Sequence, residues 1–143
     1  IQDSVFFIKA HPNAGLDDFC LDDFTHVVVI PSAIDPYPLM THVDVLVTDY
    51  SSIYIDFLLL NKPIIFFAFD LANYLATCRD MYFEYGEVTP GKYVYNFEEL
   101  LSSIGESDDF VKQRKVIKEK FWDEKYLLGY KTIAELVIKG NGK

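Results

Sequence analysis

The residues of this chain that could do chemistry cluster around one polar turn, Thr48-Asp49-Tyr50-Ser51-Ser52. It follows an aliphatic run at 43–47 and precedes an apolar stretch at 53–60. A turn between strand and helix sets hydroxyls beside unpaired backbone N–H groups at the positive end of a helix, a ready anion site. Ser51 and Ser52 add donors and are small enough for a phosphate to approach the backbone. N-capping alone is the competing reading, because Asp and Ser are favoured caps. Asp56 is the lone carboxylate of the apolar stretch, four residues after Ser52 and therefore on the same helical face, about one turn deeper. There it could accept both hydroxyls of a ribose, or it could brace a neighbouring loop. The expense of burying an unpaired carboxylate favours the ligand. His11 follows the first strand, and its ordinary pKa of about 6.5 lets it act as acid or cation near neutrality. Lys9 adds a cation on the same strand face. His26 and His42 have no partner spacing and read as structural or surface residues.

The elements that would position these groups follow from periodicity. Residues 4–10 form a buried strand ended by His11-Pro12, since proline holds its predecessor extended and cannot continue the ladder. Residues 15–24 fit one short helix. A β-branched strand at 26–30 closes at Pro31-Ser32, and 36–41 form a helical turn. The run at 43–47 is continuous enough to be a strand covered on both faces. Asn61-Lys62-Pro63 then leads to a strand through 69, and Asp70 is placed to cap a helix reaching about Cys78. Residues 79–95 read as aromatic and irregular, with Pro90-Gly91 as a turn. Asn96 can cap a helix at 97–104 with Phe97, Leu100, Leu101 and Ile104 on one stripe. A charged helix opens at Ser107 or Asp108 and runs to about Trp122. A last helical stripe at 130–138 carries Ile133, Leu136 and Val137. Strands joined by helical crossovers imply a Rossmann-like α/β fold: a parallel sheet with helices on both faces and a helical C-terminal tail.

With 143 residues, 50% of them hydrophobic and 16% aromatic, the chain fits one packed domain. A net charge of −9 with no Lys/Arg cluster argues against nucleic-acid binding. Cys20 and Cys78 form no C-x-x-C pair, which makes a reduced, cytoplasmic setting the expectation. No apolar run is long enough to span a bilayer. The chain starts at Ile1 and enters a strand almost at once, as expected of a piece of a longer protein. No G-x-G-x-x-G or G-x-x-x-x-G-K-[ST] occurs, which disfavours a dinucleotide fold and a P-loop. Ser51 lacks the glycines of a hydrolase elbow. Asp17-Asp18, Asp22-Asp23 and Asp108-Asp109 lack metal-ligand spacing and read as solvated faces.

The run Asp44-Val45-Leu46-Val47-Thr48-Asp49-Tyr50-Ser51-Ser52, with Asp56, Lys62-Pro63 and Phe66, resembles the signature of the CDP-glycerol glycerophosphotransferases, the teichoic-acid polymerases and primases of bacterial wall synthesis. Lys9-Ala10-His11-Pro12-Asn13 resembles the family's upstream basic-x-His-Pro element. Asp70-Leu71 with Tyr74, Arg79, Tyr82-Phe83 and Pro90-Gly91 resembles the family's segment downstream of the signature. The chain is also similar here to the wider GT-B glycosyltransferase and epimerase class, in which an acidic residue seven positions before a proline binds the ribose. Asp56 and Pro63 hold that spacing.

The resemblance implies that residues 1–143 are one donor-binding domain, the C-terminal half of a two-domain GT-B enzyme, incomplete at its N-terminus. A further strand and helix, and an acceptor-side domain bearing the catalytic base and membrane contacts, would lie elsewhere. The tail departs from the family at Leu128-Gly129-Tyr130-Lys131-Thr132. The implied reaction transfers glycerol phosphate from CDP-glycerol to an acceptor hydroxyl and releases CMP. The catalytic role goes to His11, with Lys9, Thr48, Asp49, Ser51, Ser52 and Asp56 binding donor. Ser51 and Ser52 would cradle phosphate, and Asp56 would hold ribose. No cofactor and no metal are expected. The expected partners are a nucleotide donor and a polymer or lipid-linked acceptor, with the full-length enzyme peripheral at the inner membrane face. The piece alone is expected to catalyse nothing. Two rivals remain: a GT-B glycosyltransferase or epimerase using a sugar nucleotide, and a receiver-like α/β module with Asp49 as phosphoacceptor. The second lacks the acidic pair a receiver needs after its first strand.

Overall fold

A computed structural model of the chain describes residues 4–10, 24–77, 82–122 and 129–140. The described strands fall into two parallel sheets. In the first, β1 (Phe6–Ile8) pairs with β2 (Val27–Val29). In the second, β4 (Ile64–Phe67) lies between β3 (Leu46–Thr48) and β5 (Lys92–Val94). Parallel neighbours require crossovers. Between β3 and β4 the connection is α2 (Ile53–Phe57), continued by a 3-10 turn at Leu58–Leu60. Between β4 and β5 it includes α3 (Leu71–Thr77) and α4 (Tyr85–Val88). A short α1 (Tyr37–Met40) precedes β3, and α5 (Phe97–Ser103), α6 (Val111–Phe121) and α7 (Gly129–Gly140) come after β5. These parallel sheets flanked by helices bear out the α/β Rossmann-like expectation.

The core centres on β4. Ile64, Ile65 and Phe66 are all buried, and Phe66 packs with Met40, Tyr54, Phe57, Leu58 and Tyr85. Burial on both faces explains why β4 reads as an unbroken apolar run. By contrast β3, which among the described residues pairs only with β4, departs from expectation: Val47 is 39% exposed, because β3 turns one face to the core and the other outward. β1 departs further. None of its residues is buried and Phe7 is 44% exposed, since β2 is its one described strand neighbour.

Segment ends have identifiable causes. Asn61 closes the 3-10 turn in the left-handed conformation (φ 50°), which Asn tolerates better than most residues, and Lys62-Pro63 cannot extend the helix. Lys62 Nζ then donates to the carbonyls of Thr41 (2.9 Å) and Val43 (2.7 Å), fixing the approach to β3. At α5, Asn96 Oδ1 accepts from the Glu99 N–H (2.9 Å), while Glu99 accepts from the Tyr95 N–H (2.7 Å), a reciprocal cap. The cap matches expectation, but the stripe does not bury: Phe97 and Leu101 face solvent. The Ile133, Leu136 and Val137 stripe of α7 is exposed too.

Two readings need correction. The span 79–95, read as irregular, contains α4 and β5. Thr89, Pro90 and Gly91 are buried rather than a surface turn, because the chain passes against β4 there. A Cβ at Gly91 would fall far inside contact distance of the Ile64 carbonyl oxygen. Asp108, expected on a solvated face, instead pairs with Arg114. The helix that Asp108 was to open begins at Val111. Arg114 is 1% exposed, and its guanidinium also donates to Asn61 Oδ1 (3.4 Å) and the Asn61 carbonyl (3.3 Å). The pair therefore ties α6 to the corner before β4.

Gly91→Ala should destabilise the fold by about 1–3 kcal/mol through backbone displacement between β4 and β5, measurable by urea unfolding. The hydrogen bond from Arg114 holds the Asp108 carboxyl below the usual range. This contribution is present above the unfolded carboxyl's pKa of about 3.9 and is lost as pH falls through the lower folded value. Asp108→Asn should therefore unfold at a lower temperature than the parent at pH 7, and the difference should shrink below about pH 4.

Candidate functional site

The turn after β3 stands at the carboxyl edge of the second sheet, where open α/β sheets bind ligands. Thr48 is buried as the last residue of β3, and Asp49, Ser51 and Ser52 are exposed beyond it. Asp49 Oδ1 accepts from the Ser51 N–H (3.1 Å), and Ser51 Oγ accepts weakly from the Ile53 N–H (3.5 Å). Ser52 occupies the cap position of α2 yet makes no side-chain cap bond. The capping reading therefore fails for Ser52, whose hydroxyl remains at the exposed edge.

Asp56 lies one turn along α2, where its half-buried carboxylate accepts from Tyr37 Oη (2.8 Å) on α1. That bond, then the carboxylate's charge, raises the Tyr37 phenol above its ordinary pKa. Tyr37 and Asp56 line a cavity of about 250 Å³ with Met40, Thr41, Leu59 and Leu60. It is an apolar hollow with one acidic wall, suited to a flat or alicyclic group that offers hydroxyls. A larger cavity of about 330 Å³ opens among the first residues of β4 and β5, including Ile64 and Lys92. That is the amino end of the sheet, away from the turn, and its lining includes Asp108, the partner of Arg114.

The remaining sequence-derived candidates divide. Lys9 follows β1, and its ammonium donates to the carbonyls of Pro31 (2.6 Å) and Ser32 (2.9 Å), so it braces the loop that leaves β2. No bond joins Lys9 to the turn among the described residues. His11 lies outside the described residues, as does the helix read at 15–24, apart from Phe24. His26 and His42 are exposed.

Sequence reasoning missed the aromatic wall that holds the turn. Tyr50 Oη donates to Asp70 Oδ1 (2.6 Å), and its ring stacks on Tyr74 with centroids 3.9 Å apart. Thus Asp70, read as a cap, stands just before α3 and also anchors the turn across the sheet edge. Tyr85 Oη donates to the Asp49 carbonyl (2.9 Å). Burial raises both phenols well above their ordinary pKa, with the Asp70 bond adding to the shift at Tyr50. Both therefore stay neutral donors through the physiological range. The available signal was tyrosine on both sides of the turn, but nothing local pairs Tyr85 with Asp49 across 36 residues.

These arrangements can be set beside known proteins. The sequence profile of the CDP-glycerol:poly(glycerophosphate) glycerophosphotransferases matches residues 1–126. A teichoic acid poly(ribitol-phosphate) polymerase of Bacillus spizizenii is 32% identical over 123 residues, 84% of this chain and 19% of that protein. The wall teichoic acid polymerase TagF superposes with a TM-score of 0.71 at 22% identity, covering 99% of this chain and 36% of the TagF chain. A TagF variant soaked with CDPG superposes at 0.59 with 28% identity, covering 75% of this chain and 26% of that one. The chain thus spans between a fifth and about a third of the length of these relatives. It belongs to the CDP-glycerol:poly(glycerophosphate) glycerophosphotransferase family.

Proposed function

We propose that this chain is the donor-binding domain of a glycerophosphotransferase that uses CDP-glycerol in the synthesis of teichoic acid or a related cell-surface polymer. The observation that carries the reading is the free-standing Ser52 hydroxyl at the carboxyl edge of β3, one turn before the Asp56 carboxylate. It occurs in a chain of this family, and a TagF variant has been soaked with CDPG. Ser51 and Ser52 contact the phosphates, Thr48 and Asp49 shape the turn, and Asp56 accepts the ribose hydroxyls, exchanging its Tyr37 bond for them. Lys9 steadies the strand that delivers His11, and His11 meets the diphosphate as cation or acid.

In the reaction, an acceptor hydroxyl oxygen attacks the β-phosphorus of CDP-glycerol. A new P–O bond forms, the bond to the bridging oxygen breaks, and CMP leaves with the electron pair. His11 neutralises charge on that leaving group. The acceptor's proton passes to a base supplied by the rest of the enzyme, which also holds the polymer or lipid-linked acceptor. Rate enhancement comes from positioning and charge stabilisation. No helix among the described residues is long and apolar enough to cross a membrane. We place the full-length enzyme in the cytoplasm, peripheral at the inner membrane face. CDP-ribitol is the second donor to consider, because the Bacillus spizizenii relative is a poly(ribitol-phosphate) polymerase.

Calorimetric titration should show CDP-glycerol or CDP-ribitol binding the chain more tightly than UDP- or GDP-sugars. Ser52→Ala and Asp56→Asn should each weaken it by roughly tenfold, the worth of one polar contact. Preference for a sugar nucleotide, or undiminished affinity in both folded variants, would overturn the assignment.

A further inference from the structure

Tyr85 sits in α4, far in sequence from the turn, and its side chain is placed with little freedom. The residue is 6% exposed. Its ring meets Phe66 at 6.0 Å and Tyr93 at 5.6 Å, both nearly perpendicular, and tilts against Tyr50 at 5.7 Å. The phenol oxygen lies on the axis of the ring, so flipping the ring does not move it. It is fixed where the packing puts it, 2.9 Å from the Asp49 carbonyl oxygen.

That bond has a consequence for the turn. A trans peptide is planar, with its C=O and N–H pointing in opposite directions. Holding the Asp49 carbonyl toward Tyr85 therefore directs the Tyr50 N–H away from Tyr85. The next two links, Asp49 Oδ1 to the Ser51 N–H and Ser51 Oγ to the Ile53 N–H, propagate that orientation into α2. Tyr50 is clamped separately by Asp70 and Tyr74. One end of the turn is thus anchored through its backbone and the next residue through its side chain.

We propose that Tyr85 is a positioning residue for the donor. Its hydroxyl sets the Asp49–Tyr50 peptide so that the Tyr50 N–H and the serine hydroxyls of the turn present themselves together to the diphosphate of the nucleotide. This rests on the reading of the turn as the phosphate-binding element. Tyr85 touches no substrate atom, and its effect is exerted through Asp49. A purely structural tyrosine would owe everything to its ring, which packs in the core regardless of the hydroxyl.

Tyr85→Phe separates the two, because it keeps the ring and removes the donor. The variant should melt close to the parent while binding CDP-glycerol about three- to tenfold more weakly, the range expected for one lost hydrogen bond. Its affinity for cytidine, which lacks phosphates, should change little. In the ligand-free protein, amide exchange at Tyr50 and Ser51 should quicken relative to the parent. Parent-like CDP-glycerol affinity in Tyr85→Phe, with Ser52→Ala weakened, would overturn the role of Tyr85 and leave the site reading standing. Unchanged exchange at Tyr50 and Ser51 would overturn it as well. Failure of the parent chain to bind CDP-glycerol at all would overturn both. Equal loss of cytidine and CDP-glycerol affinity would assign Tyr85 a general structural role instead.

Discussion

The arrangement depends on the packing of Phe66. This side chain is fully buried in the middle strand of the second sheet and meets Tyr54 at 5.3 Å, Tyr85 at 6.0 Å and Tyr93 at 5.6 Å. Its three partners belong to α2, α4 and β5, so one ring joins the helix behind the turn, the wall beside it and the next strand. Aromatic pairs in edge-to-face geometry contribute about 0.5–1.5 kcal/mol each beyond their buried area. They also fix angles that aliphatic contacts leave loose. The Tyr85 hydroxyl reaches the turn because Phe66 helps to set the ring from which it projects.

A second constraint works from the opposite end of the sheet. Arg114 is the largest fully buried side chain among the described residues, and a buried guanidinium is tolerable only when its donors are satisfied. Asp108 and both oxygens of Asn61 satisfy them. The left-handed Asn61 therefore both closes the 3-10 turn that continues α2 and receives the arginine. Trp122 Nε1, just past α6, adds a bond to the Ile55 carbonyl (2.8 Å), so α6 and its C-cap hold the segment from α2 to Asn61 at two places. The helix carrying Asp56 is held by packing on one side and by a polar tether on the other, which determines where its carboxylate can point.

Much of this was legible in the sequence where a residue's role is local. The turn after β3, the cap at Asn96 and the Asn-Lys-Pro corner follow from propensity and periodicity, and the structure places them where those rules do. What was not legible depends on distant partners. β5 is three residues in an aromatic stretch, and it is a strand because Gly91 lets the chain press against Ile64. Nothing near Arg114 marks it apart from the lysines on the same charged helix. The buried status of β1 was over-read, because an apolar run states a preference for burial and not the presence of a cover.

Charge is the last constraint on how this site can work. Asp49, Asp56 and Asp70 all lie near the turn, in a chain of net charge −9. One oxygen of each accepts a bond from the Ser51 N–H, Tyr37 or Tyr50, which orients the carboxylates without removing their charge. The cations nearest the strands are already engaged: Lys9 and Lys62 with backbone carbonyls, Lys92 with Glu106, Arg114 with Asp108. At about 4 Å in water two like unit charges repel by about 1 kcal/mol, and by more where solvent is displaced. Hydroxyls and N–H groups can orient a diphosphate here, but they cannot neutralise it. On the proposed reading of the turn, the neutralising charge falls to His11 and to groups that face this edge from the rest of the enzyme. On that reading the turn is a device for orientation, and its selectivity would lie in where it holds an anion that other groups attract.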